Sequence, residues 1–403
     1  MNLLSVEEAH ARVLASATRL SFETIDINAA FDRTLANELH AKRTQPPFNA
    51  SAMDGYAVRG QDVQLKGNVL DIIGESAAGH GFARPIGAMQ AVRIFTGAPV
   101  PEGADTILLQ ENATKNDDKV IVDVPEKAGR HVRQIGLDFT EGRVLLPEGH
   151  RLNERSLALA AAMGHGTVSV YRKPKVAILA TGDELVLPGE PAGHDHIVAS
   201  NHLTVAALVG MAGGEAIQLG IAGDSFSALE RGILAAEAEG ADILVTLGGA
   251  SVGDHDLVQN ALTRRGMDLS FWRIAMRPGK PLIHGSLGPM AILGLPGNPV
   301  SSYVCARLFL MPLIRAMQGD PDAGRDPSEP AILGCAVRQN DKRQDYLRAS
   351  LVLDPEGLPI ATPYELQDSS MIRLCAEAGA LVIRKPNASP QAAGEKCRII
   401  RLS

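Results

Sequence analysis

Apolar positions recur at helical spacing over residues 6–17, directly after Ser5 and Glu8. Ser5 and Glu8 have the spacing of a capping box, so an amphipathic helix is predicted there. A second helix is expected near residues 30–39. Gln45-Pro46-Pro47 then breaks the pattern, and up to Asp138 short alternating runs lie between Gly and Pro turns. Examples are AVRIF at 91–95, TILL at 106–109 and VIVDV at 120–124. Period-2 alternation of this kind predicts a small β-rich region. Asn153 opens a helix over residues 154–163, with Gly164 as its stop. A strand at 168–171 follows, and Lys173-Pro174 marks a boundary.

From Lys175 the period changes. Short apolar runs at 176–180, 216–219, 242–247 and 271–276 read as strands. Helical stretches at 203–209, 226–239 and 257–265 separate them. A hairpin-like pair, 282–284 and 291–293, precedes a helix over 300–317. This alternation predicts an α/β unit with a mostly parallel sheet and helices on both faces. Residues 319–327, GDPDAGRDP, have linker composition. Residues 331–403 return to short strands and turns, including DPEG at 354–357, and are expected to form a small all-β domain.

Length makes several domains the expectation, since 403 residues exceed one ordinary core. The formal net charge of −7 argues against nonspecific binding to nucleic acid. An anionic substrate would therefore need local Lys and Arg. The N-terminus lacks a secretory apolar core, and no run is expected to span a bilayer. The stretch 304–317 carries Arg307 and Arg315 and fits a packed helix better. Cys305, Cys335, Cys375 and Cys397 show no close spacing, so reduced thiols and a cytoplasmic location are expected.

The most informative stretch is TLGGASVGDHD at 246–256, behind the apolar run 241–245. Gly248, Gly249 and Gly253 allow a close backbone approach to a ligand. The loop leads into a helix and offers N–H groups to an anion. Asp254 reads as the helix cap, whereas Asp256 is the better Mg²⁺ candidate. Absence of a following Gly-Lys-Ser/Thr excludes a P-loop. Thr181-Gly182-Asp183-Glu184 follows the first strand, where ligands bind in open sheets. Glu184 could share a metal with Asp256, or Gly182-Asp183 could simply form a turn. Arg277 and Lys280 place two cations near a strand end, suited to an oxyanion or to solvent. Asn298 and Pro299 are a good N-cap and first helical residue. From the residues alone, Asp54-Gly55 and the segment from Thr96 to Gly103 read as turns.

Taken together, these segments resemble the molybdopterin molybdenumtransferase family, to which the enzymatic half of gephyrin is related. The resemblance rests on FNASAMDGYA at 48–57, TGAPVPEG at 96–103, TGDEL at 181–185, GGASVGDHD at 248–256, RPGKP at 277–281 and GLPGNPVS at 294–301. They occur in the family's order and span nearly the whole chain. The resemblance implies four parts: a discontinuous N-terminal domain (1–45 and 139–173), a β-rich insertion (46–138), a three-layer α/β domain (174–323) and a C-terminal β-barrel (324–403). It also implies an elongated homodimer whose sites lie between subunits. The implied reaction inserts molybdenum from molybdate into adenylylated molybdopterin and releases AMP with Mg²⁺.

Carried over residue by residue, the functional positions are Asp54, Thr96, Asp138, Glu184, Asp224, Asp256 and Lys280. Glu184, Asp224 and Asp256 are the implied metal ligands. Gly248, Gly249, Ser251, Gly253, Arg277, Pro281, Pro299, Arg348 and Ser369 are the implied substrate contacts. Arg277 stands where Lys is also usual, Leu137 replaces an acid, and Ala199 replaces an Asp or Asn. The segment Asp368-Ser369-Ser370 lacks the usual glycine, so either serine could serve. Further partners would be other molybdenum cofactor biosynthesis proteins; neither nucleic acid nor membrane is expected. Two other readings are a molybdopterin adenylyltransferase, which shares the α/β fold, and a non-catalytic pterin-binding scaffold.

Overall fold

The computed structural model describes residues 3–249 and 257–402. At its centre is a six-stranded sheet, ordered Glu215–Ala222, Lys175–Thr181, Ile243–Leu247, Met290–Leu295, Pro281–Leu287 and Asp268–Arg273. The first four strands run parallel; Pro281–Leu287 runs against them and pairs antiparallel with both Met290–Leu295 and Asp268–Arg273. Ile243–Leu247 and Met290–Leu295 are buried throughout, as expected of strands covered on both faces. Helices Asn201–Met211 and Pro299–Cys305 and the N-terminal helix Val6–Ala15 share the core of one face. Phe226–Ala238 and Leu257–Arg264 cover the other face.

The long helix Pro299–Met317 is long and apolar enough to cross a membrane, although no such run was expected. Val300, Val304, Phe309, Leu313 and Ile314 are instead buried against the sheet. Its middle, Ala306–Leu310, widens into a π-turn just before Pro312. Pro312 has no N–H to give the carbonyl of Leu308, so regular α pairing fails there.

Strand Phe22–Asp26 pairs antiparallel with Thr167–Tyr171, and Leu39–His40 pairs with Val144–Leu146. These pairings unite two stretches distant in sequence around Leu35, Phe139, Leu152 and Met163. Helix Glu154–Ala162 starts at a full capping box, Asn153 with Ser156, and Gly164 takes φ +96° just after its end. The helix expected near residues 30–39 does not form. Its backbone pairs elsewhere: Asp32 N–H donates to Leu152 O at 2.8 Å and Leu35 N–H to His150 O at 3.0 Å. The Asp32 carboxylate takes both arms of Arg151 at 2.7 Å. Long-range pairing here overrides local helix propensity.

Between the two halves lies a second six-stranded sheet, ordered Thr106–Leu109, Gly55–Val58, Gln90–Ile94, Val69–Ser76, Lys119–Val122 and Ala113–Asn116. At the C-terminus, Gln344–Leu353, Pro359–Pro363, Glu329–Leu333, Lys396–Arg401 and Ala380–Arg384 form a ring, because the last pairs back with the first. The stretch 319–327 is anchored at its start, where Asp320 is buried and accepts from Arg315 at 2.7 Å, and is mostly exposed beyond Ala323. One short strand, Met276–Arg277, leaves the α/β domain and pairs parallel with Gln344 and Asp345. The barrel is thereby tied to the sheet edge beside the cleft.

Candidate active site

A cleft of about 1010 Å³ opens where the parallel strands end. Each strand contributes the residues just past its last hydrogen bond, the usual ligand position in open α/β sheets. Lys175–Thr181 delivers Gly182 and Glu184, Glu215–Ala222 delivers Asp224, and Ile243–Leu247 delivers Gly248 and Gly249. Met290–Leu295 delivers Gly297, Asn298 and Pro299. Arg277, Lys280 and Pro281 form another wall, with Ser369 and Ser370 of the barrel opposite. Ser251, Gly253, Asp254 and Asp256 lie outside the described residues.

The two described acidic candidates are held by interlocked turns. Asp224 N–H donates to the Asp183 carboxylate at 3.0 Å, and Asp183 N–H returns a bond to Asp224 at 3.4 Å. Gly182 N–H donates to Ala222 O at 3.1 Å. Glu184 is exposed on the same cleft. Both offer hard oxygen ligands, the type Mg²⁺ takes. No group of three His, Cys, Asp or Glu is poised for a metal among the described residues. Sequence pattern shows Asp183 only as a turn residue; its role as Asp224's clamp depends on a partner 41 positions away.

Gly248 and Gly249 adopt φ of +102° and +65°. A Cβ at Gly248 would sit 2.7 Å from the Thr181 carbonyl oxygen. The glycine is therefore required by close packing of two strand ends, before any ligand arrives. Asn201 ties the helix Asn201–Met211 to the Gly297 carbonyl at 2.6 Å.

Arg277 was expected to clamp an oxyanion. Its guanidinium is instead directed to the barrel, hydrogen-bonding Asp345 and, at 3.4 Å each, Asp341 and Asn340. The bond to Asp345 holds Arg277 above its ordinary pKa. Asp345 is buried, and burial pushes its carboxyl up against the pull of Arg277. Asp341 is held down at about 2, chiefly by Arg343. Arg277 is thus an interdomain strut. Lys280 lines the same wall; its carbonyl accepts from Ile274 N–H at 3.0 Å, and its ammonium has no hydrogen bond or ion pair among the described residues, which leaves it to an anion.

Arg348 does not line the cleft as expected; it is among the largest fully buried side chains. One arm donates to Met371 O at 3.1 Å, beneath the loop that carries the serines. Burial lowers its pKa. Sequence pattern could not reveal this, because Arg348 sits on a strand whose inward face is set only by ring closure. Of the two serines, Ser369 accepts from Asn298 Nδ2 at 2.8 Å, and Ser370 donates to Asp368 at 2.6 Å. Asn298 therefore braces the barrel loop and makes no side-chain cap. Val300 N–H, at the helix start, donates to Ser369 O at 3.1 Å.

Asp54, Thr96 and Asp138 lie in the insertion or at its neck and are absent from this cleft within one chain. Asp54 and Thr96 form one unit: Thr96 N–H and Oγ1 donate to the Asp54 carboxylate at 2.7 and 2.8 Å. The backbone bond first, then the hydroxyl, lowers the Asp54 pKa. Asp138 is exposed, with its N–H donating to Gln45 O at 3.0 Å.

A cleft at the carboxyl ends of a parallel sheet, edged by carboxylates, a lysine and a barrel loop, defines an open-sheet α/β protein with a polar ligand cleft. Residues 177–316 match the family described as a probable molybdopterin binding domain. Residues 4–164 match the MoeA N-terminal region (domain I and II), and 330–402 match the MoeA C-terminal region (domain IV). The chain is 34% identical over 403 residues to the molybdopterin molybdenumtransferase of Haemophilus influenzae, covering 98% of both chains. It is 33% identical to that of Bacillus subtilis, covering 94% of this chain and 90% of the relative. The molybdopterin biosynthesis MoeA protein of Pyrococcus horikoshii superposes with a TM-score of 0.84 at 28% identity over 99% of each chain. The chain belongs to the molybdopterin molybdenumtransferase family.

Proposed function

We propose that this chain inserts molybdenum from molybdate into adenylylated molybdopterin and releases AMP. The observation that carries this reading is one cleft holding two loop carboxylates, Glu184 and Asp224, beside Lys280, whose ammonium is unpaired among the described residues. All the implied ligands are anions. Lys280 would hold an oxyanion as a mobile point charge, and Pro281 and the Gly248-Gly249 backbone would shape the floor. Glu184 and Asp224, with Asp256, would hold Mg²⁺, whose charge neutralises the leaving phosphate. Holding the groups in place and offsetting their charge supplies the catalysis, and no covalent nucleophile is needed.

Asp54, Thr96 and Asp138 would complete the cleft of a second copy in a homodimer, since they do not reach their own. Four free cysteines suit a reducing cytoplasm. The test is AMP release from adenylylated molybdopterin, with and without molybdate, in Mg²⁺. Molybdate-dependent release is the expected result. Adenylylation of molybdopterin from ATP would instead favour an adenylyltransferase, and binding without turnover a scaffold.

A further inference from the structure

Helix Asn201–Met211 begins inside the cleft, and its N-terminus is bare. Its N-cap, Ser200, makes no side-chain capping bond, and no acidic residue lies in the first turn. Leu203 and Thr204 N–H groups donate to Ser200 O at 3.2 and 3.4 Å. The N–H groups of Asn201 and His202 make no hydrogen bond among the described residues. Helix starts normally satisfy such donors with a cap, water or a ligand. Here the helix end also carries about half a positive charge.

A second observation points the same way. His202 lines the cleft, is only 8% exposed, and its imidazole has no hydrogen-bond partner among the described residues. Its Nδ1 is sealed from solvent. A neutral ring in that setting places its single proton on Nε2, where a partner can come, and avoids an orphaned buried N–H. The Asn201 side chain is engaged with Gly297, which fixes the helix start against the loop after Met290–Leu295. Rigid donors are thus aimed at the cleft before any ligand arrives.

We propose that Ser200, Asn201 and His202 form an anion subsite of the cleft, with two backbone N–H groups and His202 Nε2–H as donors to one oxyanion. The oxyanion is either molybdate or a phosphate of the adenylylated pterin. The proposal rests on the functional reading above for the identity of the ligand, but not for the existence of the subsite.

The test uses the full-length protein titrated calorimetrically with molybdate alone and, separately, with AMP alone. Ser200→Asp would supply a capping carboxylate and fill the subsite from within. It is expected to raise the melting temperature while weakening one anion about tenfold or more. His202→Leu is expected to weaken the same anion, and His202→Gln, which keeps a donor, to weaken it less. Loss confined to molybdate or to AMP identifies which group the subsite takes. Unchanged affinity for both anions in Ser200→Asp and His202→Leu would overturn the proposal. So would affinity losses that merely follow a fall in melting temperature. Failure of the functional reading is a separate result: molybdate-independent AMP release with the anion affinities still shifted.

Discussion

Replacing Arg277 by Met tests whether that residue is a strut. The substitution leaves Asp345 buried at 2% exposure without its hydrogen-bonded cation, its Oδ1 already lacking a partner, and only the more distant charges of Arg343 and Arg384 remain. Removing one partner of a fully buried ion pair costs roughly 3–5 kcal/mol. The Arg277 side chain is 48% exposed, so solvent screens its half of the interaction. A loss of about 2 kcal/mol is the discounted expectation. The sign with pH follows from Asp345. Burial already raises its folded pKa above the ordinary 3.8, and loss of Arg277 raises it further. A raised carboxylate pKa favours the folded state below the unfolded value, and that benefit is lost as pH rises through the folded value. The deficit of Arg277→Met should therefore be small near pH 4 and full near pH 8. Urea unfolding at both pH values, followed by a probe in the barrel, measures it. Adding Asp345→Asn should recover much of the loss. An equal deficit at both pH values, or no deficit, would refute the strut.

Three further predictions concern the cleft. Gly248→Ala places a Cβ 2.7 Å from the Thr181 carbonyl at φ +102° and should destabilise by roughly 2 kcal/mol or more, read by thermal unfolding. Glu184→Gln and Asp224→Asn should shift the Mg²⁺ midpoint of AMP release upward at least tenfold with little change in melting temperature. An unmoved midpoint would remove these residues from the metal site. If sites are shared between two copies, mixing Asp54→Asn with Glu184→Gln after subunit exchange should restore about a quarter of wild-type activity, since half the dimers then carry one intact site. No recovery despite verified exchange would place Asp54 and Glu184 in the same site or outside it.

Much of the architecture was legible because it is written in local periodicity. The strands and helices of residues 175–317 follow from alternating apolar runs, and Asn153 and Gly164 mark a helix by cap chemistry alone. The expected helix near residues 30–39 failed because Asp32 and Leu35 find partners more than a hundred positions away. Such partners leave no trace in a short window. The candidate site divides in the same way. Glu184, Gly248 and Lys280 could be read from strand-end motifs, since a loop after a parallel strand falls at the ligand edge whatever its neighbours, whereas Asp224 came only from the family resemblance.

What only the tertiary structure decided was the direction of each side chain. Arg277 and Lys280 are three positions apart with the same sign of charge, yet one is spent on Asp345 and the other's ammonium has no partner among the described residues. Arg348 was placed with the anion contacts, yet closure of the barrel turns it inward. His202, unremarkable in sequence, becomes a donor candidate because a bare helix end and a cleft meet there. Sequence determines which groups a strand end carries; their partners are fixed by packing between segments far apart in the chain, and packing is cooperative rather than local.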